Sequence, residues 1–409
     1  PERLRSSDVL TAIPLFKNGT AAPPKMDFVA CSQPGAQGDP YDQLLARLRR
    51  EHVPFSAMLE LTHACNLDCI MCYNVPRAEP ELNTAEWLDA LEQLAAAGTL
   101  RLTLTGGEIL ARRDFFTIAG RARGLGFVLD LKTNGTLLTP ESADRMAALA
   151  PTQVDISLLG ASEATFDAVA RSKHTLSRVL RGVRLLQERG VRVKLNTLLL
   201  DLNVAERAQM VELAQQLGVL YEQVFKISAA DDSSDRAGPH QLSRPQMTAL
   251  LQADQTPFRP AVRNAESRTC QVGLSACLVS PYGEVYPCNE LRISAGNLRR
   301  QAFADIWANA PILQELRTRH VGANLPECRV CPINAYCEGR CSGLAWKEHG
   351  DLYGGQSLAC QQAQARFEQQ NPGQIAPQTP LQARRLQTDN PLPAPTNGRH
   401  RQAIPLMGV

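Results

Sequence analysis

Cys65, Cys69 and Cys72 lie in the run Leu61-Thr-His-Ala-Cys-Asn-Leu-Asp-Cys-Ile-Met-Cys-Tyr73, a C-x3-C-x2-C spacing. Three thiolates this close can hold three corners of a cubane iron–sulfur cluster. The fourth iron is then left without a protein ligand, and a small molecule can bind and react there. Such a site marks a candidate redox enzyme. A zinc knuckle is the competing use of the same spacing.

Eight more cysteines follow after residue 269: Cys270, Cys277, Cys288, Cys328, Cys331, Cys337, Cys341 and Cys360. Eight thiolates suffice for two further cubanes, each saturated. Saturated clusters have no open iron, so they favour electron transfer over substrate ligation. Cys277 decides this point. As a buried thiol of a strand over 276–280 it would leave one set with an open position. Cys328-x2-Cys331 also suits a zinc ribbon. Cys31 stands outside both groups and reads as a buried or free thiol, and His63 reads as structural.

The totals agree with thiolate chemistry in a reducing compartment. The chain has 409 residues, 44% of them apolar, enough for two or three domains. Twelve clustered cysteines in a cytosolic protein favour metal over disulfides. The first residues lack the apolar core of a secretion signal, and no run of about 18 apolar residues occurs, so a cytoplasmic protein without a membrane span is expected. A formal charge of +2, from 43 basic and 41 acidic residues, gives no reason to propose a nucleic-acid partner.

The elements that must position the first cysteines begin at Phe55. Apolar β-type runs near 55–62, 100–105, 126–131, 152–157, 191–199 and 221–228 alternate with helical patterns such as 84–97, 179–188 and 204–217. This rhythm predicts an α/β fold with parallel strands, and six β–α steps predict a partial (β/α)6 barrel. Residues 1–54 read as an N-terminal arm with a helix over 42–51, 55–230 as the barrel and 231–265 as a polar linker. Residues 266–362 read as a small cysteine-rich domain, and 363–409 as an extended Gln- and Pro-rich tail. The three cysteines fall just after the first strand. Gly106-Gly107-Glu108 follows the second, Lys132-Thr-Asn-Gly135 closes the third and Asp155-Ile-Ser157 the fourth. In parallel barrels these strand ends form the active rim.

With those residues in place, the region from about 55 to 360 resembles the radical SAM superfamily. The resemblance rests on Cys65, Cys69, Cys72, Gly106-Gly107-Glu108 and Ser157 in Ser157-Leu-Leu-Gly160. It implies that S-adenosylmethionine binds the open iron and is cleaved by one electron to a radical that removes a hydrogen atom from substrate. It further implies that Gly106, Gly107 and Glu108 meet the methionyl amine, Ser157 the ribose, Arg171 the methionyl carboxylate, and backbone near Leu198 the adenine. Asn134 belongs to the same rim. Met71 stands where the superfamily usually has an aromatic residue, and Tyr73 follows the third cysteine.

The second set resembles the SPASM auxiliary-cluster domain, through Gly283-x4-Cys288 and Cys328-x2-Cys331-x5-Cys337-x3-Cys341 followed by Cys360. This implies an inner cluster on Cys270, Cys277, Cys288 and Cys341 and an outer one on Cys328, Cys331, Cys337 and Cys360. With the first, that makes three [4Fe-4S] clusters. Enzymes of this kind act mostly on peptides or proteins, so a maturase of a ribosomally made peptide, commonly a cross-linking one, is the leading expectation. Its partners would be a peptide substrate with or without a leader, an electron donor such as flavodoxin or ferredoxin, and a separate leader-binding protein. The alternative is a protein-residue oxidase of the sulfatase-maturase kind. Asn289 replaces that group's aspartate base, which leaves Glu290 as the weak candidate for a catalytic residue. A non-catalytic iron–sulfur or zinc scaffold is the third reading.

Overall fold

The computed structural model describes residues 39–254 except 229, 231–233 and 235, together with 260, 268, 270–319, 324–337 and 339–387. Cys31, most of the expected N-terminal arm, much of the expected linker and the chain from 388 onward lie outside the described residues.

Helix α1 (Pro40–Arg50) starts at Asp39, whose side chain accepts from the Tyr41 amide, with proline in the first turn. The alternation then runs β1 (Ser56–Glu60), α2 (Thr84–Ala96), β2 (Arg101–Thr105), α3 (Phe115–Gly124), β3 (Val128–Thr133), α4 (Pro140–Ala148) and β4 (Gln153–Ser157). It continues through α5 (Glu163–Ala170), α6 (Thr175–Gln187), β5 (Val193–Leu198), α7 (Arg207–Leu217) and β6 (Leu220–Val224). Local chemistry sets the boundaries. Asn83 and Glu86 form a reciprocal capping box on α2, Thr139 and Ser142 one on α4, and Gly218 ends α7 in the left-handed conformation that glycine adopts without strain.

The sheet order is β6-β5-β4-β3-β2-β1-β7-β8-β9, where β7 is Ala276–Val279, β8 Glu284–Tyr286 and β9 Gly296–Asn297. All six expected strands are present and parallel. The cysteine-rich region does not stand apart from them. Its first strand lies parallel to β1, with Ser56 opposite Ala276 and Leu59 opposite Val279, and β8 and β9 continue antiparallel.

Alternation gives the strands two chemical faces. Ala57, Leu59, Leu102, Leu104, Leu131, Ile156 and Leu195 pack beneath the helices against Trp87, Phe115 and Phe166. The opposite face carries charge in compensated pairs: Arg101–Asp130 at 2.6 Å, Lys132–Asp155 at 2.6 Å, Lys194–Asp155 at 3.5 Å and Lys194–Glu222 at 2.6 Å.

Helices α8 (Arg244–Asp254), α9 (Phe303–Asn309), α10 (Pro311–Arg319), α11 (Pro326–Arg329), α12 (Ser342–His349), α13 (Ser357–Gln370) and α14 (Pro380–Gln387) complete the described chain. Two expectations are corrected here. The linker contains α8, fixed by Gln369 Nε2 donating to the Leu251 carbonyl at 2.6 Å. The tail is helical, not extended, over α13 and α14. Its glutamines bond one another, Gln364 and Gln382 exchanging two 3.0 Å hydrogen bonds, while Ala363 and Ala365 are buried. Polar composition therefore misreads a segment whose amides pair internally.

Trp87 is fully buried under the sheet. Trp87→Ala is expected to cost about 3–5 kcal/mol, read as a lower denaturant midpoint with secondary structure retained at zero denaturant.

Candidate iron–sulfur and cofactor site

The loop that carries Cys65, Cys69 and Cys72 leaves β1 and is backed by the end of β2. Gly107 N donates to Thr62 O at 2.6 Å, Glu108 N donates to Ala64 O at 2.9 Å, and Asn74 Nδ2 donates to Gly106 O at 2.9 Å. Side chains do not fit here. A Cβ on Gly106 would lie 2.3 Å from Thr62 O, and one on Gly107 2.3 Å from Ala64 O, with Gly106 at φ +146°. The two glycines let one loop lie flat on the other.

Glu108 is expected to meet an ammonium group, and the structure gives its carboxylate three donors of its own. It is fully buried, and its carboxylate accepts from Leu110 N at 3.0 Å, Thr133 Oγ1 at 2.7 Å and Asn134 N at 2.7 Å. Burial raises its pKa, although those hydrogen bonds oppose the rise. The residue holds the ends of β2 and β3 together, and its charge lies near Cys65 of the cysteine loop.

The remaining rim residues come to the same strand ends. Asn134 Nδ2 lies 3.8 Å from Cys65 Sγ and donates to Asn66 Oδ1 at 2.9 Å. Ser157 is half-buried at the end of β4. Arg171 terminates α5 with φ +50°, and its guanidinium meets Asp68 of the cysteine loop at 3.3 Å. Ile70 N donates to Val169 O at 2.9 Å, which anchors that loop to α5. Leu198 ends β5, and its carbonyl accepts from Asn203 Nδ2 at 3.0 Å. Met71 packs half-buried against the core.

The thiols form three groups. Burial first, then the nearby thiols of Cys72 and Cys65, pushes Cys69 up to about 12. Burial, then Cys341 and Cys270, pushes Cys288 up to about 12. Burial raises Cys328 to about 12 as well, with Cys337, Cys360 and Cys331 adding to it against the opposing charge of Arg340. Crowded, buried thiols that disfavour one another's ionisation fit a cationic core, which would draw off their protons. Among the described residues no three His, Cys, Asp or Glu side chains are placed to hold a single metal ion.

Cys277 belongs to none of these groups. It sits in β7 opposite Ala57, 3% exposed within the apolar core, and burial alone pushes it up to about 12. It is expected to complete the inner set, and its side chain shares the helix-covered face of the sheet with Leu59 and Val279.

Glu290, the weak catalytic candidate, has a side chain only 3% exposed and an ion pair with Lys226 at 3.1 Å. Burial would raise its carboxyl, but Lys226 and the Ser228 hydrogen bond outweigh it and hold the pKa below the usual range. A buried, ion-paired carboxylate with a lowered pKa is a poor general base.

Sequence reasoning missed the ion pair that joins the two halves. Arg292 donates to both oxygens of Glu60, at 2.9 and 2.7 Å, and His63 Nε2 lies 3.4 Å from the same carboxylate. The guanidinium also sits over the rings of Tyr73, at 5.4 Å, and Tyr286, at 5.3 Å. Burial would raise the Glu60 carboxyl, yet Arg292 and then His63 hold it at about 2. Arg340 was missed likewise. It is buried, donates to Gly354 O and Leu352 O, and its charge lies near Cys328 of the outer set and Cys341 and Cys270 of the inner one. No local signal marks Arg292, because Glu60 is 232 positions away; Arg340 stands directly before Cys341.

Comparison with known proteins agrees with this arrangement. Residues 59–214 match the radical SAM superfamily, and residues 270–332 match SPASM, an iron–sulfur cluster-binding domain. An AdoMet-dependent heme synthase of Methanosarcina barkeri is 30% identical over 324 residues, covering 71% of this chain and 92% of that protein. A PqqA peptide cyclase of Xanthomonas euvesicatoria is 29% identical over 325 residues, covering 73% and 85%. The crystal structure of Streptococcus suis SuiB bound to precursor peptide SuiA shares the fold, with TM-score 0.57, 14% identity and coverage of 87% and 86%.

Arg292→Met strands a buried carboxylate and is expected to cost about 3–5 kcal/mol in denaturant titrations. The folded pKa of Glu60 is depressed, so its stabilisation is complete above the unfolded pKa of about 4.3 and is lost as pH falls through about 2. Glu60→Gln should flatten that acid limb in melts recorded between those pH values.

Proposed function

Because the chain belongs to the radical SAM superfamily and carries the SPASM iron–sulfur domain, we propose that it is a peptide maturase. It would cleave S-adenosylmethionine reductively and take a hydrogen atom from a ribosomally made peptide, forming a modification of the cross-link type. The observation that carries the reading is the continuous sheet. Pairing of β1 with β7, reinforced by Glu60–Arg292, holds the first cysteine loop and the auxiliary cysteines in one body. The named activities of the PqqA peptide cyclase and the peptide-bound SuiB support a peptide substrate.

In this reading Cys65, Cys69 and Cys72 hold the S-adenosylmethionine-binding cluster, and Cys328, Cys331, Cys337 and Cys360 hold the outer auxiliary one. Cys270, Cys288 and Cys341 contribute to the inner auxiliary cluster. When bound, the first cluster and its co-substrate supply a carbon radical. The protein's own residues do the positioning. Gly106 and Gly107 support the cysteine loop from below and bring backbone polar groups toward the methionyl amine. Arg171, held by Asp68, offers its guanidinium to the methionyl carboxylate. Asn134 and Ser157 offer hydrogen bonds at the ends of β3 and β4, and Leu198, Met71 and Tyr73 offer apolar and aromatic surface. An electron donor such as flavodoxin or ferredoxin, a leader-binding partner and a cytoplasmic location belong to the same proposal. Among the described residues no helix is long and apolar enough to cross a membrane.

One observation favours a second reading. The 30% identity to an AdoMet-dependent heme synthase supports action on a heme precursor instead of a peptide. The sulfatase-maturase alternative is weakened by Asn289, which cannot accept the proton, and by the ion-paired Glu290 beside it.

Anaerobically reconstituted protein is expected to contain about 12 irons and to release 5′-deoxyadenosine from S-adenosylmethionine with a reductant. Replacing Cys65, Cys69 and Cys72 by alanine should remove about 4 irons and end that release. Mass spectrometry of a peptide encoded beside the gene should show loss of two hydrogens with fragmentation blocked across a new ring. Turnover of a porphyrin, with no peptide changed, would favour the second reading instead.

A further inference from the structure

Two saturated auxiliary clusters need eight protein donors, and the structure groups only seven thiols around them, because Cys277 is committed to the apolar core opposite Ala57. The inner set does have another buried donor beside it. Glu290 lies two residues after Cys288. Its backbone is packed by Gly343, two residues after Cys341, so closely that a Cβ there would stand 2.4 Å from the Glu290 carbonyl. Cys288, Cys341 and Glu290 therefore converge on one spot. The two Glu290 oxygens have different surroundings. Oε1 accepts from Ser228 Oγ at 2.6 Å and faces Lys226 Nζ at 3.1 Å. Oε2 is buried and has no hydrogen-bond partner among the described residues. A buried carboxylate oxygen without a donor is costly unless a cation meets it.

We propose that Glu290 Oε2 is the fourth protein donor of the inner auxiliary cluster, beside Cys270, Cys288 and Cys341, and that Cys277 is not a ligand. The assignment rests on the auxiliary-cluster reading given above. Lys226 and Ser228 act on Oε1 as an outer shell that orients the carboxylate and leaves Oε2 for iron. Lys226 also offsets charge gathered at the site, since it lies near Cys341 and Cys288 as well as Glu290. A carboxylate oxygen is a harder donor than thiolate, so iron at this corner exchanges more readily than at a thiolate corner.

The test uses the full chain carrying Cys65→Ala, Cys69→Ala and Cys72→Ala, so that only auxiliary iron is read. After anaerobic reconstitution this parent should hold about 8 irons. A parent holding about 4 or fewer overturns the two-cluster reading itself, and this assignment with it. In a loaded parent, Cys277→Ala is expected to keep the full iron content and an unchanged EPR spectrum of the reduced clusters. Glu290→Gln should alter the spectrum of one cluster and shed one iron per chain on mild oxidation, giving a three-iron signal. Glu290→Cys should stay fully loaded and lower the midpoint potential of that one cluster, because thiolate donates more strongly than carboxylate. Loss of about 4 irons in Cys277→Ala, failure of Glu290→Cys to load, or Glu290 variants that match the parent in spectrum and potential would each overturn the assignment.

Discussion

Glu60 and Arg292 stand 232 positions apart and meet through two hydrogen bonds inside the protein. A carboxylate that leaves water at this depth is tolerated only if a cation with matching geometry is already there. The planar fork of arginine supplies that match, and Tyr73 and Tyr286 cover its flat faces. Tyr73 directly follows Cys72, and Arg292 Nε donates to the carbonyl of Asn289, directly after Cys288. One guanidinium therefore sets the first cysteine loop against the inner auxiliary set. The parallel pairing of β7 with β1 brings the two halves into line, and the ion pair locks them.

Electrostatic crowding is the second constraint. Cys69, Cys288 and Cys328 are each buried beside other thiols that push them away from ionisation. The cysteine-rich region also shares the main apolar core, through Val279, Phe303, Ile306 and Leu313. Arg340 lies where the inner and outer sets come closest in charge, and backbone carbonyls hold its guanidinium in place. Lys226 has the corresponding role beside Cys288 and Cys341. Arg340 directly precedes Cys341 within the cysteine signature, whereas Lys226 comes from a segment without cysteines.

The glycines after β2 show how a short motif can be legible while its physical role is not. Gly106 and Gly107 read as room for a ligand, yet the room is filled by Thr62 and Ala64 of the cysteine loop. Glu108 reads as an exposed partner for an ammonium group, yet three donors from neighbouring strand ends enclose it. The motif builds the floor on which the cysteine loop rests.

The amino-acid sequence by itself determined the six parallel strands, the order of the helices and the family. Those follow from local periodicity and from cysteine spacings, which act within a few residues. The helical tail escaped it because the pairing of Gln364 with Gln382 depends on how two helices pack. Tertiary structure decided where Cys277 sits. Alternation along β7 turns Cys277 toward the core face, opposite Ala57 and beside Leu59. The same holds for Glu60 with Arg292 and for Glu290 with Lys226. Buried charges choose partners by distance in the folded state, and sequence separation carries no information about that distance.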